Sequence, residues 1–317
     1  YLNNLNTEVK NAVLSADNEA QYDESAKRLL GQKYILAYIL VNTIDEFRGT
    51  NPEEIVPLIE GTPYISSIPL EAGLTNQYKD QTFNSNARII GLNNENIDKN
   101  EGIVRFDIVF YVRMTDGLSQ IIINVEAQKD EPTKYDIINR AIFYVSRLIS
   151  SQKERDFKGI NYNDIKRVYS IWVCMNMSEN SMCHIHLTTD DLLGNHNWNG
   201  NLDLFNIIMI GLSNELPENN NIYELHRLLC ALFSQNLTSN EKLEILNTEY
   251  NIPIEETFRK DVNTMCNLSQ GIKEAGITEG KNEIIINMYN NDFTLEQIVK
   301  ATGKSVEEIK QIISSNK

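Results

Sequence analysis

The 317-residue sequence is poor in cysteine and histidine, with four of each, and it has no long apolar run. The longest apolar runs, at 34–41 and 207–212, fall well short of the ~18–20 residues of a membrane span, so we expect no membrane segment. No signal-peptide pattern is visible, although the sequence begins with tyrosine rather than methionine. The cysteines lack the spacing of a disulfide framework, and we therefore expect reduced thiols in a cytoplasmic protein. They are Cys174, Cys183, Cys230 and Cys266.

Positive charge is also scarce. The chain has 29 lysines and arginines against 44 acids, a net charge of −15. Proteins that hold nucleic acid by its phosphates usually carry a basic face, so this balance predicts weak nonspecific affinity for DNA. A local basic face can coexist with an acidic remainder, and a homodimer could complete such a face. The length and the 41% hydrophobic content are those of a globular protein of one or two domains.

The most informative stretch consists of two apolar runs joined by a turn at Asp116 and Gly117. Apolar and polar residues alternate in both runs, which is the pattern of strands with one apolar face. Aspartate followed by glycine is a strong signal for a tight hairpin turn. We therefore predict a β-hairpin that brings Asp107 of the first strand and Glu126 and Gln128 of the second onto one face.

Carboxylates on neighbouring apolar strands suggest a metal site. Burying them costs free energy, and two of them repel each other, unless a cation relieves both costs. Mg²⁺ binds carboxylates together with waters and phosphate oxygens, and it activates a bound water. The pattern of Asp107 and Glu126 thus predicts hydrolysis of phosphodiesters assisted by Mg²⁺. The alternative is a surface hairpin whose outer face is simply charged.

Four segments in this order carry a family resemblance, at 104–111, 122–130, 138–152 and 168–176, with weaker likeness at 265–269 and 276–280. Together they resemble the bacterial PD-(D/E)XK nuclease family transposases, a group related to the Rpn recombination-promoting nucleases. The resemblance implies a restriction-endonuclease-like α/β core, with a mixed sheet flanked by helices and a C-terminal helical region. It also implies a metal-dependent DNA endonuclease with a role in recombination or in mobile elements.

The resemblance assigns the two metal-binding positions to Asp107 and Glu126, which would hold Mg²⁺ or Mn²⁺ with the Ala127 carbonyl as a third oxygen ligand. Gln128 stands where the superfamily pattern has lysine, as it tends to in the related Rpn group. Glutamine is neutral and cannot supply positive charge to a phosphate or to an attacking hydroxide. A helix predicted over 134–152 offers a substitute, because its polar stripe, which includes Tyr144, could place Arg140 or Arg147 near a phosphate. The alternative is that this stripe is simply a solvated helix face. The apolar stripe of the helix comprises Ile137, Ile138, Ala141, Ile142, Val145, Leu148 and Ile149, and the polar stripe continues to Arg147 and Ser151.

Two further ligand sets are weaker candidates. Apolar residues recur at helical spacing over 22–48, with a break at Gly31. In the superfamily a first helix often adds a third acid to the site, and the candidates here are Asp23, Glu24 and Glu46. Each of them could equally be a solvated or capping acid. A second set invites a zinc interpretation, but its spacing is not that of a standard site, and we favour an edge strand followed by a loop. It comprises Cys183, His184, His186 and His196.

The remaining pattern predicts four regions, a polar arm over 1–20, a nuclease-like domain over 21–213, a helical subdomain over 214–270 and a helical tail over 271–317. Within the second region we expect loops over 49–86, a strand at 87–92 and buried strands at 168–175 and 204–212. The tail begins at the glycines 271 and 276. Capping-box patterns at Thr294 and Ser305 predict two short helices on either side of Gly303, similar to a helix-turn-helix.

Two functions from different classes remain open at this point. The first is a metal-dependent endonuclease, and nothing in the sequence separates DNA from RNA as its substrate. The second is a binding or regulatory protein on an inactive nuclease scaffold, which the net negative charge and Gln128 favour.

Overall fold

The computed structural model describes residues 21–61, 64–70, 104–114, 120–129, 132–194 and 196–315. The predicted arm over 1–20, the strand at 87–92 and the turn at Asp116 and Gly117 lie outside these residues. The described residues form two compact units, one within Ala26–Val262 and the other over 263–315 together with 21–25.

A six-stranded mixed sheet forms the centre of the larger unit, in the order β1-β2-β3-β4-β6-β5. β2 pairs antiparallel with both β1 and β3, β4 runs parallel to both β3 and β6, and β5 pairs antiparallel with β6. The strands are β1 (Tyr64–Leu70), β2 (Val104–Arg113), β3 (Gln120–Gln128), β4 (Val168–Met177), β5 (Ser181–His186) and β6 (Phe205–Ser213).

Helices flank this sheet and dominate the C-terminal part of the chain, which confirms the predicted α/β class with a C-terminal helical region. The predicted break at Gly31 is also confirmed, because it separates the first two helices. The helices are α1 (21–30), α2 (Lys33–Thr43), α3 (Pro52–Ile55), α4 (Ile137–Ser150), α5 (Glu224–Phe233), α6 (Ser239–Thr248), α7 (Glu256–Asn290), α8 (Leu295–Thr302) and α9 (Val306–Ser315).

Helix α4 connects β3 to the parallel strand β4, since a parallel pair needs a crossover that returns the chain to the same end of the sheet. It packs on the sheet through a buried cluster that includes Val145, Leu148 and Trp172. The predicted apolar stripe was partly wrong, because Ile138 and Ile142 are 44% and 41% exposed. Tyr144 and Arg147 of the predicted polar stripe are buried instead. The rings of Tyr144 and Trp172 lie 5.4 Å apart, so an aromatic contact turns this side of the helix inwards.

Two other predictions about the elements were wrong. Part of the segment expected to be loop forms β1, the first strand of the sheet, which has β2 as its neighbour among the described strands. Proline is tolerated at such an edge position, and β1 contains Pro69. The helical tail does not begin at Gly271, since α7 continues through that residue and Gly276 to Asn290. A glycine in a helix interior costs about 1 kcal/mol, and this long helix accommodates the cost.

The end of the chain forms the two predicted short helices. Thr294 accepts a hydrogen bond from the backbone N–H of Gln297, and Gln297 accepts one from the backbone of Thr294. Gly303 ends α8 with a φ of +71°, a left-handed conformation that favours glycine. A small buried cluster joins these helices to the end of α7 through Ile285, Ile298 and Ile309. No helix within the described ranges is both long and apolar enough to cross a membrane.

The orientation of α4 can be tested by truncating one residue from each side of it. Leu148→Ala should destabilise the protein by about 2–5 kcal/mol, because Leu148 is fully buried. Ile142→Ala, on the exposed side, should cost less than about 1 kcal/mol. The measurement is urea unfolding followed by the fluorescence of the buried Trp172. Equal losses in the two variants would contradict the observed orientation.

Candidate functional site

The hairpin of β2 and β3 places two acids directly opposite each other. Ile108 pairs with Val125, so the next residues along each strand, Asp107 and Glu126, face one another. The backbone N–H of Asp107 donates to Glu126 Oε1 at 3.1 Å, and the backbone N–H of Ala127 donates to Asp107 Oδ2 at 2.9 Å. Each carboxylate is therefore held by the backbone of the opposite strand.

The position of these strands inside the sheet explains the burial of both acids. β3 lies between β2 and β4, and Glu126 pairs in register with the fully buried Trp172 of β4. Asp107 is 9% exposed and Glu126 only 1%. Two carboxylates have thus been withdrawn from water at the same point, which is costly unless a cation or protons compensate.

The pKa of Glu126 reflects this cost. Burial raises the pKa of its carboxyl well above the usual range, and the neighbouring Asp107 raises it further. The hydrogen bond from the Asp107 backbone, the Arg140 guanidinium and Asn124 oppose the shift without cancelling it. Glu126 consequently keeps its proton to a higher pH than an ordinary glutamate, and a bound cation would take the place of that proton.

Two cationic side chains approach the acids from different helices. Lys27 of α1 places its Nζ 2.9 Å from Asp107 Oδ1. Arg140 of α4 places its Nη2 4.0 Å from Glu126 Oε2. Positive charge therefore reaches the acid pair from two sides, although the strand position expected to carry lysine holds Gln128.

Arg140 is held in place by the other candidate residues of this region. Its guanidinium donates to Gln128 Oε1 at 3.3 Å and to the Tyr144 hydroxyl at 3.0 Å, and it lies over the Trp172 ring at 5.3 Å from the centroid. It also donates to the hydroxyl of Tyr135 at 3.0 Å. Gln128 thus carries no charge itself but orients a residue that does. Arg147, the other candidate cation, is buried two turns further along the helix.

Lys27 is the residue of this site that sequence reasoning missed. It lies in a helix whose neighbouring positions Ala26, Leu29 and Leu30 are fully buried, so its stem runs beside the core. A lysine flanked by these apolar residues is a signal that could have marked it. Its partner Asp107 is distant in the sequence, and only the fold brings the two together.

No third acid joins the pair in the part of the chain that the structure describes. There, no group of three or more histidine, cysteine, aspartate or glutamate side chains could hold a metal. Asp23 and Glu24 are exposed. Glu46 forms an ion pair with Arg167, which also binds Asp203 at 2.7 Å.

The histidines considered for zinc do not form a ligand cluster among the described residues. His184 Nε2 lies 2.9 Å from Asn206 Oδ1, and its ring packs against the ring of His186 at 4.9 Å. The predicted edge strand is confirmed, because β5 is the last strand of the sheet. Its residues, Cys183 among them, are largely exposed.

The carboxylates of Asp107 and Glu126 are the oxygen groups of this site that could hold a divalent cation. Mg²⁺ commonly binds through one or two carboxylates and completes its shell with water and phosphate oxygens. The raised pKa of Glu126 agrees with such a role, because it shows that the negative charge of this carboxylate is disfavoured when no cation is bound.

Comparison with known proteins identifies no relative. No protein-family model matches the chain, and neither the curated proteins nor the solved structures include a significant match.

The raised pKa of Glu126 predicts how stability depends on pH. An unfolded glutamate loses its proton near pH 4.3, whereas folded Glu126 keeps its proton to a higher pH. As the pH rises from the pKa of the unfolded glutamate to that of folded Glu126, the free energy of unfolding of the wild type should fall relative to that of Glu126→Gln. The fall should be about 1.4 kcal/mol per pH unit. The variant should therefore be the more stable protein at pH 7. Urea unfolding at several pH values, in buffer with a chelator, measures this difference.

Glu249, a glutamate whose pKa is lowered rather than raised, provides the control. The Arg227 guanidinium lowers the pKa of Glu249, with which it forms two hydrogen bonds. Glu249→Gln should therefore slightly destabilise the protein at pH 7, by less than about 1 kcal/mol because the pair is partly exposed. If Glu126→Gln also destabilised the protein at pH 7, burial of the ionised Glu126 carboxylate would not lower the stability of the wild type, and the inference from its burial would be wrong.

Proposed function

We propose that the chain is a metal-dependent endonuclease that hydrolyses phosphodiester bonds. The observation that carries this proposal is the buried pair of opposed carboxylates, Asp107 and Glu126. Burial and the neighbouring Asp107 raise the pKa of Glu126, and acids perturbed in this way cluster at functional sites. Their position beside an arginine favours a substrate with a phosphate group.

The proposed chemistry assigns a role to each residue of the site. Asp107 and Glu126 would hold Mg²⁺ or Mn²⁺, with the Ala127 carbonyl as a further ligand. Such a cation, when bound, lowers the pKa of a water and stabilises negative charge on a phosphate. Arg140 presents a partly exposed guanidinium that can donate two hydrogen bonds to phosphate oxygens. Gln128 and Tyr144 fix the orientation of that guanidinium.

Lys27 has a separate role in this proposal. In the absence of a cation its ammonium group balances the charge of Asp107. A divalent cation on Asp107 would repel Lys27 and leave its ammonium available to a phosphate oxygen. Lys27 and Arg140 together would then supply the charge that the neutral Gln128 lacks.

The fold of the larger unit supports a restriction-endonuclease-like core as part of the same proposal. Its central elements are the antiparallel hairpin of β2 and β3, the crossover helix α4 and the parallel strand β4. Both acids come from the hairpin and Arg140 comes from the crossover helix. DNA is the substrate that the sequence resemblance favours, in recombination or mobile-element biology, and RNA belongs in the same assays.

A binding protein on an inactive nuclease scaffold is the second candidate function. The observation that favours it is the short contact between Lys27 and Asp107, since an ammonium group already balances one of the two acids. The absence of a third acid among the described residues points the same way. This candidate predicts nucleic-acid or protein binding without cleavage.

Cleavage of supercoiled plasmid DNA and of single-stranded RNA, with Mg²⁺ or Mn²⁺, tests the proposed function. The wild type should cleave at least one of these substrates, and a chelator should stop the reaction. Asp107→Asn and Glu126→Gln should each lower the rate by about a hundred-fold or more, because each removes a charge that holds the cation.

Two features of this experiment make its result decisive. Glu126→Gln is expected to fold at least as well as the wild type, so its inactivity could not be attributed to unfolding. Asp164→Asn, a change at an exposed acid outside the site, should retain full activity. Cleavage that survives both site substitutions would refute the assignment, and a wild type inactive on every substrate would favour the binding protein.

A further inference from the structure

The connection between β5 and β6 is unusually long for two strands that pair directly. β5 ends at His186 and β6 begins at Phe205, and His186 is itself paired with Asn206. Hairpin connections generally have 2–5 residues, whereas this one runs from 187 to 204. Apart from the short 3₁₀ turn at Leu202–Leu204, its described residues form no helix or strand. We call residues 187–204 the arm.

The arm exposes large apolar side chains to an extent that a solvated loop does not require. Leu192 is 95% exposed, Leu193 is 98% exposed and Trp198 is 84% exposed. Leu187 and Leu202 are each about half exposed, as is Met182 on the neighbouring edge strand. Exposed apolar groups concentrated in one segment mark an interaction surface.

The edge of the sheet beside the arm has no further strand. β5 is the last described strand, and the contact recorded at its edge is that of His226 of α5, whose Nε2 lies 3.0 Å from the carbonyl oxygen of Ser181. Natural edge strands usually carry charges or proline that prevent pairing with another chain. Residues 181–189 contain neither a charged residue nor proline, although the chain as a whole has a net charge of −15.

We propose that a second copy of this chain covers the arm and the β5 edge. In the resulting dimer, β5 pairs antiparallel with β5 of the other copy about a two-fold axis, and each arm packs its apolar side chains across that axis. An edge strand is self-complementary in this arrangement, because its free N–H and C=O groups meet the same groups in reverse order. The two six-stranded sheets then become continuous.

Charge favours a second copy over a nucleic acid as the occupant. Residues 181–204 contain no lysine or arginine, so phosphates would find no cation there. Their acids are confined to Asp190, Asp191 and Asp203 in the arm. The β5 strands can therefore approach each other without like charges at the point of contact.

The exposed apolar area approaches that of a stable dimer. A fully exposed large apolar side chain buries roughly 60–120 Å² in an interface. Because three of the six side chains here are only about half exposed, the six give roughly 540–1,080 Å² over both copies, just below the ~1,200 Å² lower limit of standard interfaces. Backbone pairing along β5 would add to this area. The six are Met182, Leu187, Leu192, Leu193, Trp198 and Leu202.

Sedimentation velocity of the full chain at about 10 μM tests the proposal. The wild type should sediment as a dimer of twice the 36.3 kDa chain mass. The double variant Leu193→Asp, Trp198→Asp should weaken dimerisation by about a hundred-fold or more, since a buried tryptophan is a typical hot spot. Met182→Lys, which adds a charge beside the edge, should weaken it in the same direction.

The control variants are Ile160→Asp and Ile222→Asp. Both residues are as exposed as Trp198, at 86% and 84%, but they lie outside the arm, and both variants should remain dimeric. A monomeric wild type, a dimer that the arm variants leave unchanged, or a dimer broken equally by the controls would overturn the proposal.

Amide hydrogen exchange separates edge pairing from contact through the arms alone. In the wild-type dimer the outer amides of β5 should be protected, and that protection should disappear in the arm variant while β4 and β6 stay protected. A dimer whose outer β5 amides exchange freely would overturn the pairing. These outcomes are independent of whether the chain cleaves nucleic acid.

Discussion

The reciprocal hydrogen bonds between Asp107 and the Glu126 segment are the interaction on which the site depends. Each carboxylate accepts from the backbone of the opposite strand, so the hairpin itself fixes the two acids. The register of β2 and β3 determines which residues face each other, and a slip of either strand by one residue would move its acid to the face opposite the other acid. The apolar core on either side of these strands holds that register, and it also withdraws the acids from water.

The surroundings of the acids balance this burial only in part. Lys27 approaches Asp107 closely, whereas Arg140 stays 4.0 Å from Glu126 and makes its shorter contacts with Gln128 and two tyrosines. Glu126 is therefore the less balanced of the two carboxylates, which agrees with its raised pKa. This imbalance beside an oriented guanidinium is the feature on which the proposed binding of a cation and a phosphate rests.

Local patterns in the sequence predicted the elements that carry the acid pair and Arg140, but not the contacts between them. Alternating residues predicted the strands of Asp107 and Glu126, and helical spacing predicted α4, since both depend on neighbours in the chain. The inward side of α4 could not be predicted, because it depends on Trp172 of a later strand meeting Tyr144. Lys27 was missed for the same reason: its contact with Asp107 spans 80 residues (107 − 27).

Titration calorimetry with Mn²⁺ tests most directly whether the opposed acids form a cation site. The wild type should bind Mn²⁺ at one site and release protons as it does so, since binding requires a deprotonated Glu126. Asp107→Asn combined with Glu126→Gln should abolish that binding while the protein remains folded. Wild type that binds no Mn²⁺, or a double variant that binds it equally well, would contradict the account.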